Sequence, residues 1–388
     1  MIPQIINLTP VDVFRYYAEK FGVPEGRYSF GLYGLELRHL RRKDAEKYEN
    51  VISAYKERVY LNVESGETIS ILLIGSLRRF KIIAERILRK IPGNSSIKLF
   101  NTINFFENYE LTSYKIGDKL FEFKDIYVMG ILNVTPDSFS DGGKYLDKTR
   151  AINFGIKMLE NGADIIDIGG ESSRPGAQSI DPDTEINRVM PVIEGILNRK
   201  PDAVLSVDTT KNEVAELALN AGAKIINDIS GGTFEPDILK TVAKYKAAYV
   251  VMHMKGRPSD MQRNPGYENV IEEIYDFLYR QIEKAKSAGI QHIFVDPGIG
   301  FGKRVEDNFY IIKRLEDFKS LSYPILLGVS RKSFLGKFLD LKVDFRDVPT
   351  SITEAFAVNK GARIIRTHNV RNGVMLKILL NKSKSVNI

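Results

Sequence analysis

The chain has 388 residues, of which 43% are hydrophobic and 27% charged, the balance of a globular protein with room for two domains. It has no cysteine, which excludes disulfides, thiolate metal sites and a cysteine nucleophile, and its four histidines lack the spacing of zinc ligands. The net charge of +7 comes without a basic stripe interleaved with aromatic residues, so we expect either a mild excess of Lys and Arg on solvated helices or arginines that face an anionic substrate, rather than a nucleic-acid partner.

Residues 1–112 predict a small N-terminal α/β domain. The start M-I-P-Q-I-I-N lacks the basic and apolar regions of a signal peptide, and no run approaches the ~18 apolar residues of a membrane span. We therefore expect a cytoplasmic protein with no membrane partner. Helical spacing of apolar residues occurs at 11–21 and 42–58, and strand-like runs occur at 58–63, 68–75 and 96–106. This part contains no catalytic constellation, and its role is open.

The pattern of residues 113–388 predicts a (β/α)8 TIM barrel with an N-terminal hairpin at 114–123. This hairpin precedes the barrel strands and is expected to close the bottom of the barrel. Eight short β-branched apolar runs alternate with segments of helical period over roughly the 250 residues that such a barrel needs. The alternative is an open doubly wound sheet, which usually has fewer strands for this length. The eight runs are 126–134, 163–170, 203–210, 224–231, 247–254, 292–299, 324–331 and 362–369.

Each of these runs is apolar at its start and polar at its carboxyl end. In a barrel the carboxyl ends of the strands meet on one face, where active sites are built. A single polar residue at a strand end usually has a structural hydrogen-bond partner. Polar residues at the carboxyl ends of all eight strands indicate an active site. The polar positions are Asn133, Gly169, Gly170, Asp208, Asn227, His253, Asp296, Ser330, Arg331, Arg366 and His368.

Eight ordered motifs across about 113–388 resemble those of the dihydropteroate synthase family. They are M-G-I-L-N-V-T-P-D-S-F-S-D-G-G, I-G-G-E-S-S-R-P-G-A, S-V-D-T-T-K, I-I-N-D-I-S-G-G, M-H-M-K-G-R-P, D-P-G-I-G-F-G-K, G-V-S-R-K-S-F-L-G and R-T-H-N-V. The resemblance implies that a hydroxymethyl-dihydropterin diphosphate loses diphosphate while the amine of p-aminobenzoate attacks the same methylene carbon, which gives 7,8-dihydropteroate. The family is commonly dimeric through barrel helices, so a homodimer is expected.

The resemblance also assigns roles to single residues. It implies a catalytic group of Lys332, Arg366, His368 and Asp208. The pterin is expected to contact Asp208, Asn227, Met252, Asp296, Lys332 and Arg366, because buried acids and an amide complement its ring donors. The diphosphate is expected to contact Ser173, Arg174, Arg366 and His368. The p-aminobenzoate is expected to contact Phe139 in the loop 135–145, Pro175, Phe301 and Ser333.

Asn133 is expected to be the protein ligand of a Mg²⁺ cofactor that also holds diphosphate oxygens. For two of these residues a structural alternative stays open, namely a turn cap for Asn133 and a helix N-cap for Asp208. His253 is either part of the pocket floor or a core histidine. The motif D-P-G-I-G-F-G-K lacks the spacing of a phosphate-binding P-loop, which argues against a nucleotide site.

The chain departs from the family pattern at two positions, where Ser173 replaces the usual Thr and Asn369 replaces the usual Asp. The second departure removes a charge near His368 and leaves the protonation of that histidine open. Glu171 is assigned to an internal ion pair or to hydrogen bonds that hold the loop. Three alternative functions remain: condensation with another arylamine such as a ribofuranosyl-aminobenzene phosphate, a pterin-dependent methyltransferase, and a pterin-binding protein with a decayed site.

Overall fold

The fold was derived from a computed structural model, which describes residues 1–54, 57–64, 68–135 and 144–385. The chain divides into two compact units. The first comprises Met1–Tyr109 together with Glu316–Ser322, and the second comprises Glu110–Leu315 and Tyr323–Ile388. Within the described residues, no helix is both long and apolar enough to cross a membrane.

The first unit is an antiparallel four-stranded sheet with helices. Its strands are β1 (Ile2–Asn7), β2 (Tyr33–Arg41), β3 (Tyr60–Val63) and β4 (Thr68–Gly75), in the spatial order β1-β2-β4-β3. Its helices are α1 (Val11–Phe21), α2 (Arg42–Ser53), α3 (Leu77–Lys90) and α4 (Asn94–Glu107). Alternate residues of β2 face opposite sides of the sheet, so that Leu35 and Leu37 enter one apolar core while α1 covers a second core on the other face.

The prediction of a strand at 96–106 was wrong, because these residues lie in α4. The buried positions Ser96, Leu99, Thr102, Ile103 and Phe106 recur every three or four residues, which is the period of a helix face. The run is rich in Ile, Phe and Thr, and this composition favours strands, but the spacing of the buried side chains decides the structure.

The free edge of β1 is covered by the distant segment Glu316–Ser322 of the same unit. The Ile5 N–H donates to Ser320 Oγ at 2.9 Å, and the Asn7 N–H donates to Asp317 Oδ1 at 3.2 Å. Asn7 Nδ2 also donates to Glu316 Oε1 at 2.8 Å. The segment therefore satisfies strand-edge donors that would otherwise require water or another chain.

The second unit contains a closed barrel of eight parallel strands, which confirms the predicted TIM barrel and excludes an open sheet. The strands are β7 (Tyr127–Asn133), β8 (Ile165–Gly169), β9 (Leu205–Asp208), β10 (Ile225–Asp228), β11 (Ala248–Met252), β12 (Ile293–Asp296), β13 (Ile325–Leu327) and β14 (Ala362–Thr367). The helices are α5 (Lys144–Glu160), α6 (Pro182–Arg199), α7 (Asn212–Asn220), α8 (Ile238–Lys244), α9 (Val270–Ala288), α10 (Val305–Lys313), α11 (Ser333–Leu339), α12 (Asp347–Asn359) and α13 (Val370–Ser385).

A hairpin of β5 (Ser113–Ile116) and β6 (Lys119–Glu122) packs against the apolar interior of the barrel at the amino ends of the strands. Phe121 and Phe123 are fully buried there, and the Tyr114 hydroxyl donates to the Ile293 carbonyl oxygen at 3.1 Å. The hairpin thus closes the bottom of the barrel with side chains, so that only the opposite rim is left for polar chemistry.

The strand register places the polar residues of that rim next to one another. Gly169 of β8 is paired with Asn133 of β7 on one side and with Asp208 of β9 on the other. Asn227 of β10 pairs in turn with Asp208, and Met252 of β11 pairs with Asp296 of β12. Asn133 and Asn227, 94 positions apart in sequence, are therefore linked by one row of paired residues, and Asp296 lies on β12 two residues beyond that row.

Candidate active site

Arg366 lies at the centre of the rim and is held by two carboxylates. Its Nε donates to Asp167 Oδ2 at 2.6 Å, and its Nη2 donates to Asp208 Oδ2 at 2.7 Å. Burial raises the pKa of Asp208 to about 7, Arg366 opposes this shift and the charge of Asp167 adds to it. Because Asp208 binds a guanidinium rather than helix N–H groups, its alternative role as an N-cap is excluded.

Asn227 and Asp296 complete the acidic side of the site. Asn227 Nδ2 donates to Asp167 Oδ2 at 2.9 Å, which leaves Asn227 Oδ1 as the atom able to accept a hydrogen bond from a ligand. Asp296 Oδ1 accepts from the Gly298 N–H at 2.7 Å, and burial raises its pKa although Lys332 opposes the shift. The arrangement offers a ligand acceptor atoms from neighbouring strands.

Lys332 reaches over the glycine-rich loop that follows β12. Its Nζ donates to the carbonyl oxygen of Ile299 and lies 4.3 Å from the centre of the Phe301 ring. Burial lowers the pKa of Lys332 to about 8 against the opposing charge of Asp296, and the charge of Arg366 contributes to this lowering. Gly298 has a φ of +70°, and a Cβ there would overlap the His253 carbonyl oxygen. The glycines thus serve close backbone packing beneath Lys332.

An apolar patch lies between the strands on this side of the site. Met252 packs in a cluster with Ile229, Met254 and Met261, against which Phe301 and Phe234 are half-buried. His253 is nearly fully buried, and its Nδ1 lies 3.0 Å from the Nζ of the buried Lys303. Lys303 also donates to the Phe301 carbonyl oxygen at 3.0 Å. These contacts favour the reading of His253 as a core histidine.

His368 is surrounded by guanidinium groups. Burial lowers its pKa to about 3, and the charges of Arg366, Arg331 and Arg174 contribute to this shift. At neutral pH the ring is therefore an uncharged imidazole with a single N–H. A region that holds three guanidinium groups together with a neutral N–H donor is suited to an anion with several oxygens.

The segment after β8 carries Ser173, Arg174 and Pro175. Ser173 lines a cavity of about 310 Å³, which Asp208 and Thr209 also line. Arg174 and Pro175 are exposed, and the next residue, Gly176, donates its N–H to the Pro258 carbonyl oxygen at 2.8 Å. The Nζ of Lys211 binds both Glu171 and Glu185, the latter at 2.5 Å, so that the ion pair predicted for Glu171 is confirmed.

The remaining predicted site residues lie at the rim or outside the described part of the chain. Asn133 ends β7 half-buried, and its side chain makes no hydrogen bond to any residue that the structure describes. Ser333 is the exposed first residue of α11, where the motif S-R-K-S-F predicts the start of a helix. Phe139, predicted to contact p-aminobenzoate, lies outside the described residues.

The structure adds one residue that sequence analysis missed, Asp167, and gives a partner to Ser330, which was identified only as a polar strand end. Asp167 is fully buried in the middle of β8 and binds both Arg366 and Asn227, whereas its Oδ1 has no hydrogen-bond partner among the described residues. Ser330 follows β13, and its Oγ lies 2.9 Å from His368 Nδ1. An acid inside an otherwise apolar strand was the available signal for Asp167. Ser330 was marked as a polar strand end, but its contact with His368 was not predicted, because that partner lies on the neighbouring strand.

Comparison with known proteins agrees with this geometry. A family model described as pterin binding enzyme matches residues 129–368. The dihydropteroate synthase of Synechocystis sp. is 45% identical over 259 residues, which is 66% of this chain and 89% of that protein. The dihydropteroate synthase of Bacillus subtilis is 44% identical over 261 residues, with the same two coverages of 66% and 89%.

Solved structures show the same similarity. The dihydropteroate synthase of Yersinia pestis in complex with a sulfonamide drug has a TM-score of 0.67 and 38% identity, and the match covers 71% of this chain and 100% of that one. The enzyme of Xanthomonas albilineans with 4-aminobenzoic acid has a TM-score of 0.67 and 36% identity, with coverages of 71% and 99%. The chain therefore belongs to the dihydropteroate synthase family of pterin-binding enzymes.

Proposed function

We propose that this chain, a transferase of folate biosynthesis by its family, condenses 6-hydroxymethyl-7,8-dihydropterin diphosphate with p-aminobenzoate. The amine nitrogen forms a bond to the methylene carbon, the carbon–oxygen bond to the diphosphate breaks, and the amine releases one proton. The observation that carries this proposal is the position of Arg366, which binds two buried carboxylates and also lies near the neutral His368. Arg366 thus belongs both to the side of the site that complements a pterin and to the side that binds an anion.

The pterin side is formed by Asp208, Asn227 and Asp296, whose oxygens accept hydrogen bonds from the amino and ring N–H groups of a pterin. A ring without these donors leaves buried acceptors unpaired, which costs about 1–3 kcal/mol for each group. Lys332 supplies a cation for the pterin carbonyl oxygen and ring nitrogen. Met252 provides an apolar surface for the ring, which excludes water from the reacting carbon.

The leaving-group side is formed by Arg174, Arg366, His368 and the Ser173 hydroxyl. Negative charge grows on the diphosphate as the carbon–oxygen bond breaks, so groups that bind it more strongly at this stage lower the barrier. Arg174 is exposed, and we therefore propose that it closes onto the diphosphate when the substrate binds. His368 donates its one N–H to a diphosphate oxygen.

The acceptor amine is proposed to lie between Phe301 and Pro175, with its carboxylate near the Ser333 hydroxyl. Phe301 packs beside Lys332, and this contact places an aromatic face next to the pterin position. Phe139 is proposed as a further contact. The main contribution of these residues is to orient the amine toward the methylene carbon, since the chemistry itself needs little covalent assistance.

Asn133 is proposed to hold a Mg²⁺ together with diphosphate oxygens and water. Its amide makes no hydrogen bond to the described residues, so the oxygen is available, and a neutral ligand fits an ion whose other ligands are phosphate oxygens. No cluster of three His, Asp or Glu ligands occurs among the described residues, which suits an ion bound mainly by substrate. Such an ion would neutralise charge on the leaving diphosphate.

A second copy of the chain is the proposed partner, and the cytoplasmic location stays a prediction. Large apolar side chains are exposed along α11, α12 and α13 and in the turn Val343–Phe345 before α12, an arrangement typical of a self-complementary interface. They are Phe338, Phe345, Val348, Ile352, Phe356, Met375, Ile378 and Leu379. Light scattering after size exclusion tests this: the wild type should be a dimer and Phe356→Lys a monomer, and a monomeric wild type would contradict it.

The proposed reaction is tested by diphosphate release from the pterin diphosphate, with p-aminobenzoate or a ribofuranosyl-aminobenzene phosphate as the amine. We expect turnover with p-aminobenzoate, and we expect Arg366→Ala to reduce kcat/KM at least about 100-fold because two charged contacts are lost. Arg371→Ala is the matched control, since this arginine is exposed on α13 and should retain full activity. Absence of turnover with p-aminobenzoate would reject the proposal.

A further inference from the structure

The imidazole of His368 is held from behind by one hydroxyl group. Ser330 Oγ lies 2.9 Å from His368 Nδ1 and also accepts the backbone N–H of His368 at 3.1 Å. Ser330 is buried, with 6% of its surface exposed, and it follows β13 by three residues. The serine therefore contacts His368 through two atoms of the same residue.

The donors and acceptors around Ser330 determine which ring nitrogen of His368 carries the proton. The hydroxyl has one proton to donate, and the backbone N–H of His368 can only donate to it. If the proton were on Nδ1, Ser330 Oγ would accept twice from His368, in addition to the long contact of 3.5 Å in which the Thr367 hydroxyl donates to it, and its own proton would have no acceptor among these groups. If Nδ1 is unprotonated, Ser330 accepts the backbone N–H and donates its own proton to Nδ1 at 2.9 Å, so that the hydroxyl proton and Nδ1 both have a partner.

The residue after His368 does not take this role. Asn369 Oδ1 accepts the N–H of Asn372 at 3.2 Å, as an N-cap of α13 does, and its Nδ2 donates to Asp347 Oδ2 at 2.9 Å. Asp347 in turn binds Arg331 through both carboxylate oxygens, at 2.6 and 3.0 Å. The carboxylate of this region is therefore on Asp347, and an Asp at position 369 would face it with a like charge.

We propose that Ser330 is a positioning residue that fixes His368 as the Nε2-protonated tautomer and so directs its single N–H away from β13 toward the leaving group. This inference rests on the proposed function for the identity of the anion, but the tautomer itself is a property of the free protein. The opposite tautomer would present a lone pair to the anion oxygens and would repel them. A wrongly oriented or wrongly protonated histidine is known to cost far more activity than stability.

The tautomer is measured directly by NMR on the full chain labelled with ¹⁵N-histidine. The protein has four histidines, and the signals of His368 are those missing from His368→Gln. We expect the wild type to show a protonated Nε2 and an unprotonated Nδ1 at neutral pH. A protonated Nδ1 in the wild type overturns the proposal, whatever the behaviour of any variant.

Kinetics of Ser330→Ala test the consequence for the reaction. We expect kcat to fall about 10- to 100-fold, with an unchanged KM for the amine, a weaker affinity for inorganic diphosphate, and a mixture of tautomers. Ser330→Thr keeps the hydroxyl and should restore the tautomer and most of the rate. Ser351→Ala is the matched control, because that hydroxyl binds only the Asp347 carbonyl oxygen at 3.1 Å, and it should change none of these values.

The outcomes separate this inference from the proposed function. If His368→Gln lowers kcat while Ser330→Ala retains the wild-type rate and diphosphate affinity, the positioning role is wrong and the histidine assignment holds. If His368→Gln retains the wild-type rate, the diphosphate role proposed for His368 is rejected, and with it the catalytic part of the inference.

Discussion

Replacement of Asp167 by Asn is the most direct test of the carboxylate pair that holds Arg366. The side chain is fully buried, and Oδ2 accepts from Arg366 Nε at 2.6 Å and from Asn227 Nδ2 at 2.9 Å. An amide keeps the shape of the carboxylate but has only one oxygen and no charge. Its oxygen must serve both donors, so its NH₂ group occupies the position of Oδ1, which has no partner among the described residues.

The magnitude follows from these contacts. The change of a charge-assisted hydrogen bond into a neutral one costs roughly 1 to 2 kcal/mol, and a buried NH₂ without a partner costs about 1–3 kcal/mol. Much of this cost falls on stability, because the site is preorganised in the free protein. The remaining cost arises because Arg366 and Asn227 are positioned less firmly, and it lowers the catalytic rate. We expect kcat/KM for the pterin diphosphate to fall roughly 10- to 100-fold.

The pH dependence gives the sharper readout. Burial raises the pKa of Asp208 to about 7, and the negative charge of Asp167 contributes to this elevation. Removal of that charge lowers the pKa of Asp208, so the ionised form that binds Arg366 persists to lower pH. The acid limb of the kcat/KM profile, measured by diphosphate release between about pH 5.5 and 8.5, should therefore move to lower pH in Asp167→Asn.

The control is an acid directly before the amino end of the same strand. Asp164 precedes β8, where it binds the Nζ of Lys119 at 2.9 Å and the Nζ of Lys377 at 2.8 Å. Asp164→Asn should lower the melting temperature but leave the acid limb where it is. An acid limb in Asp167→Asn that stays in place or moves to higher pH would refute the contribution of the Asp167 charge to the raised pKa of Asp208.

Two further predictions concern stability. Burial raises the pKa of Glu354 on α12 to about 8 from an ordinary value of 4.5, so the folded state binds its proton more tightly than the unfolded state and loses stability as pH rises between these values. From about pH 5.5 to 8.5 the wild type should lose roughly 3 kcal/mol more of its free energy of unfolding than Glu354→Gln, and equal losses in denaturant titrations would contradict this. Deletion of Met1–Tyr109 removes the partners of Glu316–Ser322, including the Ile5 and Asn7 donors of Ser320 and Asp317, so the truncated chain should melt at a lower temperature or aggregate. An unchanged melting temperature in scanning calorimetry would show that the segment needs no cover.

The barrel could be predicted from sequence because its signals are local and repeated. Each strand is a short β-branched run, and the helices between them end at recognisable residues; α7, for example, spans the predicted Asn212–Asn220. Closure of the sheet into a barrel could be predicted without a separate sequence signal, because a sheet of eight apolar parallel strands has few other ways to bury both of its faces. Local composition failed at α4, where apolar and β-branched residues occupy a helix whose buried face only the spacing reveals.

The sequence predicted the site residues at the ends of the strands but not the site residue within a strand. Asp208, Asn227, Asp296 and Arg366 lie where polar residues interrupt apolar runs, and the strand register brings them together. The partners that orient them depend on side-chain direction across neighbouring strands. Asp167 was missed for this reason.

Glu316–Ser322 shows the limit of local patterns most clearly, because its structural partners are more than 300 residues away. The hydrogen bonds from Ile5 and Asn7 to Ser320, Asp317 and Glu316 span 309 to 315 positions in sequence. A segment that lies between two barrel elements in sequence therefore belongs to the first unit and covers the edge of its sheet, although the hydrophobic pattern alone predicts an ordinary connection. Long-range contacts of this kind are formed late and at a high entropic cost in folding, so the first unit is expected to become stable only after the chain has folded at least as far as Ser322. The boundary at residue 109 therefore does not enclose the whole first unit, because Glu316–Ser322 belongs to that unit as well.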